Sequence, residues 1–288
     1  MLAPGPALNR SAALRWARKT IDRLDARLLL QFVTGCSAAD LLAYPETSLS
    51  AEESNAFEAL VIRRQRGEPL AYLTRMAGFY GELLQVSPAV LVPRPETEDL
   101  VAWALQLLAD CTNPRIADLG TGSGAIALAL AGARPDAQIL AIDVSSEAVA
   151  VASANRERLS RHNVELRCAS WLEGVNADPL FDLVVSNPPY IDAADPHLTG
   201  DGVRFEPRLA LTDGGNGLSA YETMVVQAVP RLKAGGWLVV EHGHDQADAV
   251  KQFWREAGLV DVDSRHDLSG NPRMTAGRKP PAQKAGND

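Results

Sequence analysis

From Pro114 onward the sequence alternates short apolar runs with helix-periodic segments, and this alternation limits the fold more than any other feature. Strands are expected over residues 116–119, 138–142, 164–168, 181–185 and 236–241, and helices over 123–132, 145–159, 219–232 and 246–257. Strands that alternate with helices build a mostly parallel sheet with helices on both faces. The expected class is therefore α/β, with ligands bound beyond the carboxyl ends of the strands, near the point where strand order reverses.

The first quarter of the chain reads differently. Leu14, Ala17, Ile21, Leu24, Leu28 and Phe32 recur at helical spacing up to Gly35, which predicts one amphipathic helix over 11–34. Ser50-Ala51-Glu52-Glu53 is a capping box, so a second helix starts there and runs through Phe57, Leu60 and Val61 to the break at Gly67 and Pro69. Short apolar pieces interrupted by Gly81 and Pro88 then predict a hairpin. The expected organisation is a helical domain over 1–75, a hairpin linker over 76–95 and an α/β domain over 96–288. Pro93 to Glu98, "PRPETE", reads as helix-start chemistry, with a place beside the active site as a further possibility. Arg63, Arg64 and Arg66 read either as a docking patch or as a solvated helix face. The terminal "GRKPPAQKAGND" is expected to be a loose tail.

Composition narrows the function classes. A hydrophobic fraction of 46% over 288 residues supports a packed core. The opening "MLAPGPALNR" has no apolar signal core and no run of about 18 apolar residues occurs, so a cytoplasmic protein with no membrane association is expected. Cys36, Cys111 and Cys168 are too scattered for a disulfide framework or zinc ribbon and are expected to be packing residues. Residues 1–75 hold 10 basic against 8 acidic side chains, whereas the remainder holds 18 against 28. An acidic main domain argues against nucleic acid as the direct substrate, because such binding rests on neutralising phosphates.

In "IADLGTGSGAIALALA", Gly120, Thr121, Gly122, Ser123 and Gly124 join the first strand to a helix, and Asp143 ends the next strand. Glycines admit a ligand close to the backbone, and an acid about 20 residues on can hold ribose hydroxyls. Asp118 before the loop is unhelpful beside a pyrophosphate and better suited to a cation. A plain glycine-rich turn is the competing reading.

At the end of the fourth strand stands Asn187-Pro188-Pro189-Tyr190. The two prolines lack N–H groups and fix the backbone, leaving a stiff platform that offers the Asn187 oxygen and the Pro188 carbonyl as acceptors beside an aromatic ring. A planar group carrying NH₂ fits such a platform; a simple proline-rich strand terminator is the alternative. His242 and His244 in "EHGHD" lack the further spacing of a metal-ligand set, so no metal is expected.

The glycine loop with Asp118 resembles the first motif of class I S-adenosylmethionine methyltransferases, which have a Rossmann-like sheet, and Asn187 to Tyr190 resembles the N-P-P-Y motif of amino-group methyltransferases. Together with "GEPLAYL" at 67–73, "VPRPETE" at 92–98, "RFEP" at 204–207 and "GNPRMTAGR" at 270–278, these motifs are similar to the PrmC/HemK protein-glutamine methyltransferases. The resemblance implies transfer of methyl from S-adenosyl-L-methionine to the glutamine N5 of the Gly-Gly-Gln motif in class-1 peptide-chain release factors. It further implies that Gly120 to Gly124, Asp143, Trp171 and Asn187 contact the cofactor. Asn187, Pro188, Pro189 and Tyr190 would hold the glutamine, with Asn187, Pro188 and Tyr190 as the catalytic set. The family often has Asp-Trp where this chain has Ser170-Trp171, which replaces a carboxylate acceptor for the adenine amino group by a hydroxyl. A nucleic-acid amino methyltransferase acting on adenine or guanine is the alternative, since a flipped base would suit the same platform.

Overall fold

A computed structural model describes residues 8–200, 202–267 and 270–282. The chain divides into two units. One ends at Met76 and takes in the short segment ending at Phe205; the other comprises Ala77–Gly200 and the chain from Glu206 onward.

Helices α1 (Arg10–Ala17), α2 (Arg23–Thr34), α3 (Ala38–Ala43), α4 (Ala51–Gln65) and α5 (Leu70–Thr74) form the first unit. Their shared core includes Leu14, Ala17, Leu29, Leu30, Leu41, Phe57, Val61 and Leu73. The single helix expected over 11–34 is two helices. The first ends at Ala17, with Arg18 as its C-cap, and the second starts afresh where Asp22 accepts the Leu24 N–H at 2.6 Å as an N-cap, although the apolar spacing runs on through the turn between them. Ser50 and Glu53 make the reciprocal capping bonds that their spacing predicts, at 2.7 and 3.1 Å. Arg63 pairs with Glu68 at 2.5 Å and Arg64 with Asp25 at 2.6 Å, so two of the three arginines of that cluster are engaged within their own unit.

The second unit begins within a hairpin of β1 (Met76–Phe79) and β2 (Glu82–Gln85), followed by α6 (Glu96–Leu107). Phe79 and Leu84 of this hairpin are buried in the same cluster as Leu100, Trp103 and Leu128, so the hairpin expected to be a linker is part of the core. Then come β3 (Arg115–Leu119), α7 (Ala125–Ala133), β4 (Gln138–Asp143), α8 (Ser146–Arg158), β5 (Val164–Cys168), β6 (Phe181–Ser186), α9 (Ser219–Arg231), β7 (Leu232–Glu241), α10 (Ala247–Glu256), β8 (Val260–His266) and β9 (Pro272–Arg278). The seven-stranded sheet has the order β5-β4-β3-β6-β7-β9-β8. Strands β3 to β7 are mutually parallel, while β9 runs antiparallel to β7 and β8 antiparallel to β9. The inner strands are buried almost throughout, as a sheet covered on both faces requires.

The closing hairpin was not legible as strands. Val260–His266 carries alternating polar residues that stay largely exposed at a sheet edge. Gly277 and Arg278, expected to start the tail, belong to β9; residues 283–288 of that tail lie outside the described residues. Of the cysteines, Cys36 and Cys111 pack against cores, but Cys168 is exposed and is not a packing residue. Among the described residues no helix is long and apolar enough to cross a membrane.

Strand order reverses between β3 and β6, since the chain moves outward from β3 through β4 and β5 and then returns to β6 on the other side. Leu119 and Ser186 are register partners at the ends of these neighbours, and the two motifs singled out in the sequence follow them directly.

Candidate active site

The glycine loop after β3 is shaped from beneath. Thr121 donates its N–H to the Ile142 carbonyl at 2.9 Å, and Gly124 donates to Thr121 at 2.8 Å. Asn155 of α8, fully buried, donates to the Ser123 and Gln85 carbonyls at 2.9 Å each and accepts the Gln85 N–H at 2.6 Å, which ties the loop to the hairpin. Asp118 has no solvent exposure; its Oδ2 accepts from the Thr121 hydroxyl at 2.6 Å and the Ala127 N–H at 3.1 Å. Its Oδ1 has no partner among the described residues. Burial raises the Asp118 carboxyl to about 7, against the lowering effect of those two donors.

Asp143 at the end of β4 accepts the Gly122 N–H through Oδ2 and the Ser145 N–H through Oδ1, each at 2.9 Å. Burial raises its carboxyl above the ordinary value. Each oxygen keeps a second lone pair for a hydroxyl ligand. A Cβ at Gly120 would lie only 3.9 Å from the Asn187 carbonyl, so the loop after β3 and the platform after β6 adjoin.

These elements surround a cavity of about 620 Å³. Gly120, Thr121, Gly122, Ser123, Asp143, Trp171, Asn187 and Pro189 line it, as do Ser170 and Arg94. Three expected site residues do not. Gly124, at φ +84°, caps α7, and a Cβ there would come within 2.9 Å of the Leu128 side chain; helix packing, not ligand approach, requires that glycine. Pro188 is buried. Tyr190 packs against the sheet's second core, and burial with the nearby Glu241 charge pushes its hydroxyl well above the ordinary phenol value. Trp171 lines the cavity and also packs against that core, at φ +51°.

Other site residues were missed in the sequence. Thr97 of α6 is buried, accepts from Asn187 Nδ2 at 3.1 Å and donates to Glu241 Oε2 at 2.7 Å. Glu241, at the end of β7, also accepts from the Tyr190 hydroxyl through Oε1 at 3.3 Å. Glu206 of the "RFEP" stretch is buried and holds Arg94 at 2.5 Å and the Val92 N–H at 3.1 Å. The pattern "PRPETE" reads as helix-start chemistry with a place beside the active site as a further possibility, but gives no role to Thr97 or Arg94 in particular, and "EHGHD" draws attention to its histidines rather than to Glu241. His242 is buried, with its ring nitrogens bonded to Thr275 and the Gly243 carbonyl at 2.8 Å each, and His244 is exposed.

Comparison with known proteins fits this geometry. Residues 9–74 match the PrmC N-terminal domain and residues 101–201 the methyltransferase small domain. The release factor glutamine methyltransferase of Xylella fastidiosa (strain Temecula1) is 46% identical over 93% of this chain and 98% of its own length. The Escherichia coli (strain K12) protein of the same name is 43% identical over 91% of this chain and 97% of its own. The chain belongs to the release factor glutamine methyltransferase family. A methyltransferase of known structure from Pyrococcus furiosus, 17% identical, covers 77% of this chain and 98% of its own with a TM-score of 0.52, which shows the shared Rossmann-like fold.

S-adenosyl-L-methionine is the cofactor of this methyltransferase family, and the residues present fit it. The cavity has the volume of a cofactor site. Asp143 stands at the strand end with lone pairs to spare, and the unpartnered Asp118 oxygen beneath the loop suits a ligand that carries positive charge.

Proposed function

We propose that this methyltransferase modifies the side-chain nitrogen of the glutamine in the Gly-Gly-Gln motif of class-1 peptide-chain release factors, with Asn187 as the residue that orients it. The observation carrying this reading is that Asn187, which lines the cavity, spends its Nδ2 on Thr97, which leaves Oδ1 without a partner among the described residues. An acceptor so placed selects an N–H donor.

An amide nitrogen is a weak nucleophile because its lone pair is delocalised into the carbonyl, and it gains positive charge as it attacks. Asn187 Oδ1 accepts one of its N–H groups, which turns the lone pair toward the donor and stabilises the developing charge, while Pro188, buried behind the cavity wall, holds the platform's backbone fixed. When bound, S-adenosyl-L-methionine supplies a methyl group on a positively charged sulfur. Gly120 to Ser123 and Asp143, which line the cavity, would hold that donor there, and alignment of the amide nitrogen with it would provide much of the remaining acceleration. A methyl group supplied in this way would replace one hydrogen of the amide nitrogen, which would be released as a proton. Tyr190 acts here as a support for the platform through Glu241, rather than as a cover over the amide.

The proposal extends to the helical unit, residues 1–75, as the part that engages the release factor, and to a cytoplasmic location, where such factors act on the ribosome. It excludes nucleic acid as the methyl acceptor, in keeping with the acidic balance of the larger part of the chain. Transfer of labelled methyl from the cofactor to a purified release factor tests it, with RNA, DNA and a factor whose glutamine is replaced by alanine as controls. Label confined to the glutamine-bearing factor is the expected result; label in the nucleic acids, or in the alanine control, overturns the reading.

A further inference from the structure

Asn187 is useful only one way round. Its amide has an acceptor end and a donor end of nearly the same shape, and a donor facing the substrate NH₂ would repel it. The side chain sits between a cavity and a buried chain of hydroxyl and carboxyl groups drawn from three distant segments: Thr97 at the start of α6, Glu241 at the end of β7 and Tyr190 after β6. We propose that Thr97 and Glu241 are positioning residues that fix which end of the Asn187 amide faces the acceptor nitrogen. The proposal rests on the glutamine reading of Asn187 and adds to it two residues outside the Asn-Pro-Pro-Tyr motif.

The direction of the chain follows from counting protons. Ionised Glu241 is only an acceptor, so Thr97 gives its single hydroxyl proton to Oε2 at 2.7 Å. Only lone pairs then remain on Thr97 Oγ1, and Asn187 must present Nδ2 to it, at 3.1 Å. Oδ1 is thereby left for the substrate. Protonated Glu241 reverses the sequence: it donates to Thr97, Thr97 can donate to the Asn187 carbonyl, and the NH₂ end turns to the cavity. Glu241 is buried, and that burial raises its carboxyl to about 7, with Thr97 and Tyr190 as opposing donors. The charged and titratable groups around it are Arg273 of β9, which favours the ionised form, Glu96 of α6, which opposes it, and the Tyr190 and Tyr221 hydroxyls. Tyr221 of α9 bonds the Glu241 backbone carbonyl at 3.1 Å and so braces the same residue.

Two measurements on the full-length protein test the relay. In the first, kcat for release-factor methylation is followed against pH for wild type, Thr97→Val, Thr97→Ser and Glu241→Gln, with cofactor affinity measured separately by calorimetry. Thr97→Val should lower kcat about 10- to 100-fold, the scale of a mis-set oriented hydrogen bond, while cofactor affinity stays within about twofold. Thr97→Ser, which keeps the hydroxyl, should restore most of the rate. The wild-type rate should fall on the acid side with a midpoint near 7, and Glu241→Gln should lose that limb. In the second, the Asn187 side-chain amide resonance of ¹⁵N-labelled, substrate-free protein should move with pH through the same midpoint in wild type and stay fixed in Glu241→Gln. A Thr97→Val enzyme with kcat within twofold of wild type, or an Asn187 resonance indifferent to pH, overturns the relay. Wild type that leaves the release factor unmethylated overturns the proposed function instead, and the resonance still decides the relay.

Discussion

The backbone of Gly217 lies against the carbonyl of Tyr190 so closely that a Cβ at position 217 would fall 2.1 Å from that oxygen. Gly217 also holds φ +76°, a conformation that side-chain-bearing residues rarely adopt. Gln246 completes the arrangement by donating its Nε2 to the carbonyls of Tyr190, at 2.9 Å, and Gly217, at 3.3 Å. The far end of the platform is thus clamped by a loop and a helix start well beyond it in sequence. Gly217→Ala should displace Tyr190 and lower stability by about 1–3 kcal/mol, the cost of strained backbone and overpacking. Chemical denaturation measures the loss, and methylation should fall with it; an alanine variant of unchanged stability would show that the loop yields without cost.

Asp143→Ala should weaken cofactor binding before it affects chemistry. Hydrogen bonds to charged groups contribute roughly 1.5–3 kcal/mol each. Because the same carboxylate braces the Gly122 and Ser145 N–H groups, the melting temperature should fall as well. Calorimetric titration with unchanged affinity would leave Asp143 as a brace alone.

Asp118→Asn should stabilise the cofactor-free protein at pH 8 and weaken its cofactor affinity. The folded protein holds the Asp118 proton up to about 7, against an ordinary value of 3.8. Stability from this group is therefore full below the unfolded value and is lost as pH rises through the folded one, by up to about 4 kcal/mol. An asparagine carries no charge to lose, so the variant's advantage in melting temperature should grow between pH 4 and pH 8. Its amide nitrogen would take the place of the unpartnered Oδ1 and repel a cationic ligand, lowering affinity about tenfold or more. A pH-independent difference in melting temperature would reject the buried charge.

Leu42 and Tyr44 of the helical unit are 85% and 63% exposed. Their joint replacement by serine should leave stability within about 0.5 kcal/mol, as for most surface changes. If this unit engages the release factor, kcat/KM for the intact factor should drop while that for a short Gly-Gly-Gln peptide stays constant, because the peptide has no contact there to lose. Equal values for both substrates would place the docking surface elsewhere.

Local chemistry alone determined a good part of this protein. The alternation after Pro114, the loop from Gly120 to Gly124, Asp143 at a strand end and Asn187-Pro188-Pro189-Tyr190 are contiguous patterns whose periodicity and backbone restrictions can be read without knowing what packs on them. Tertiary structure decided the rest. The chain turns after Ala17 and restarts a helix at the Asp22 cap although the apolar spacing runs on, because periodicity does not mark where a helix is capped. The β8–β9 hairpin carries an exposed, polar edge strand whose brief Val-Asp-Val-Asp alternation is too short to announce it, and the pairing of β9 with β7 places it in the sheet. Thr97, Glu241 and Gly217 matter through contacts with Asn187 and Tyr190 that span 90, 51 and 27 positions. Such residues leave no local signature, because burial and hydrogen-bond direction belong to the folded chain: a threonine at a helix start and a glutamate at a strand end become an orienting relay only when the sheet brings their segments together.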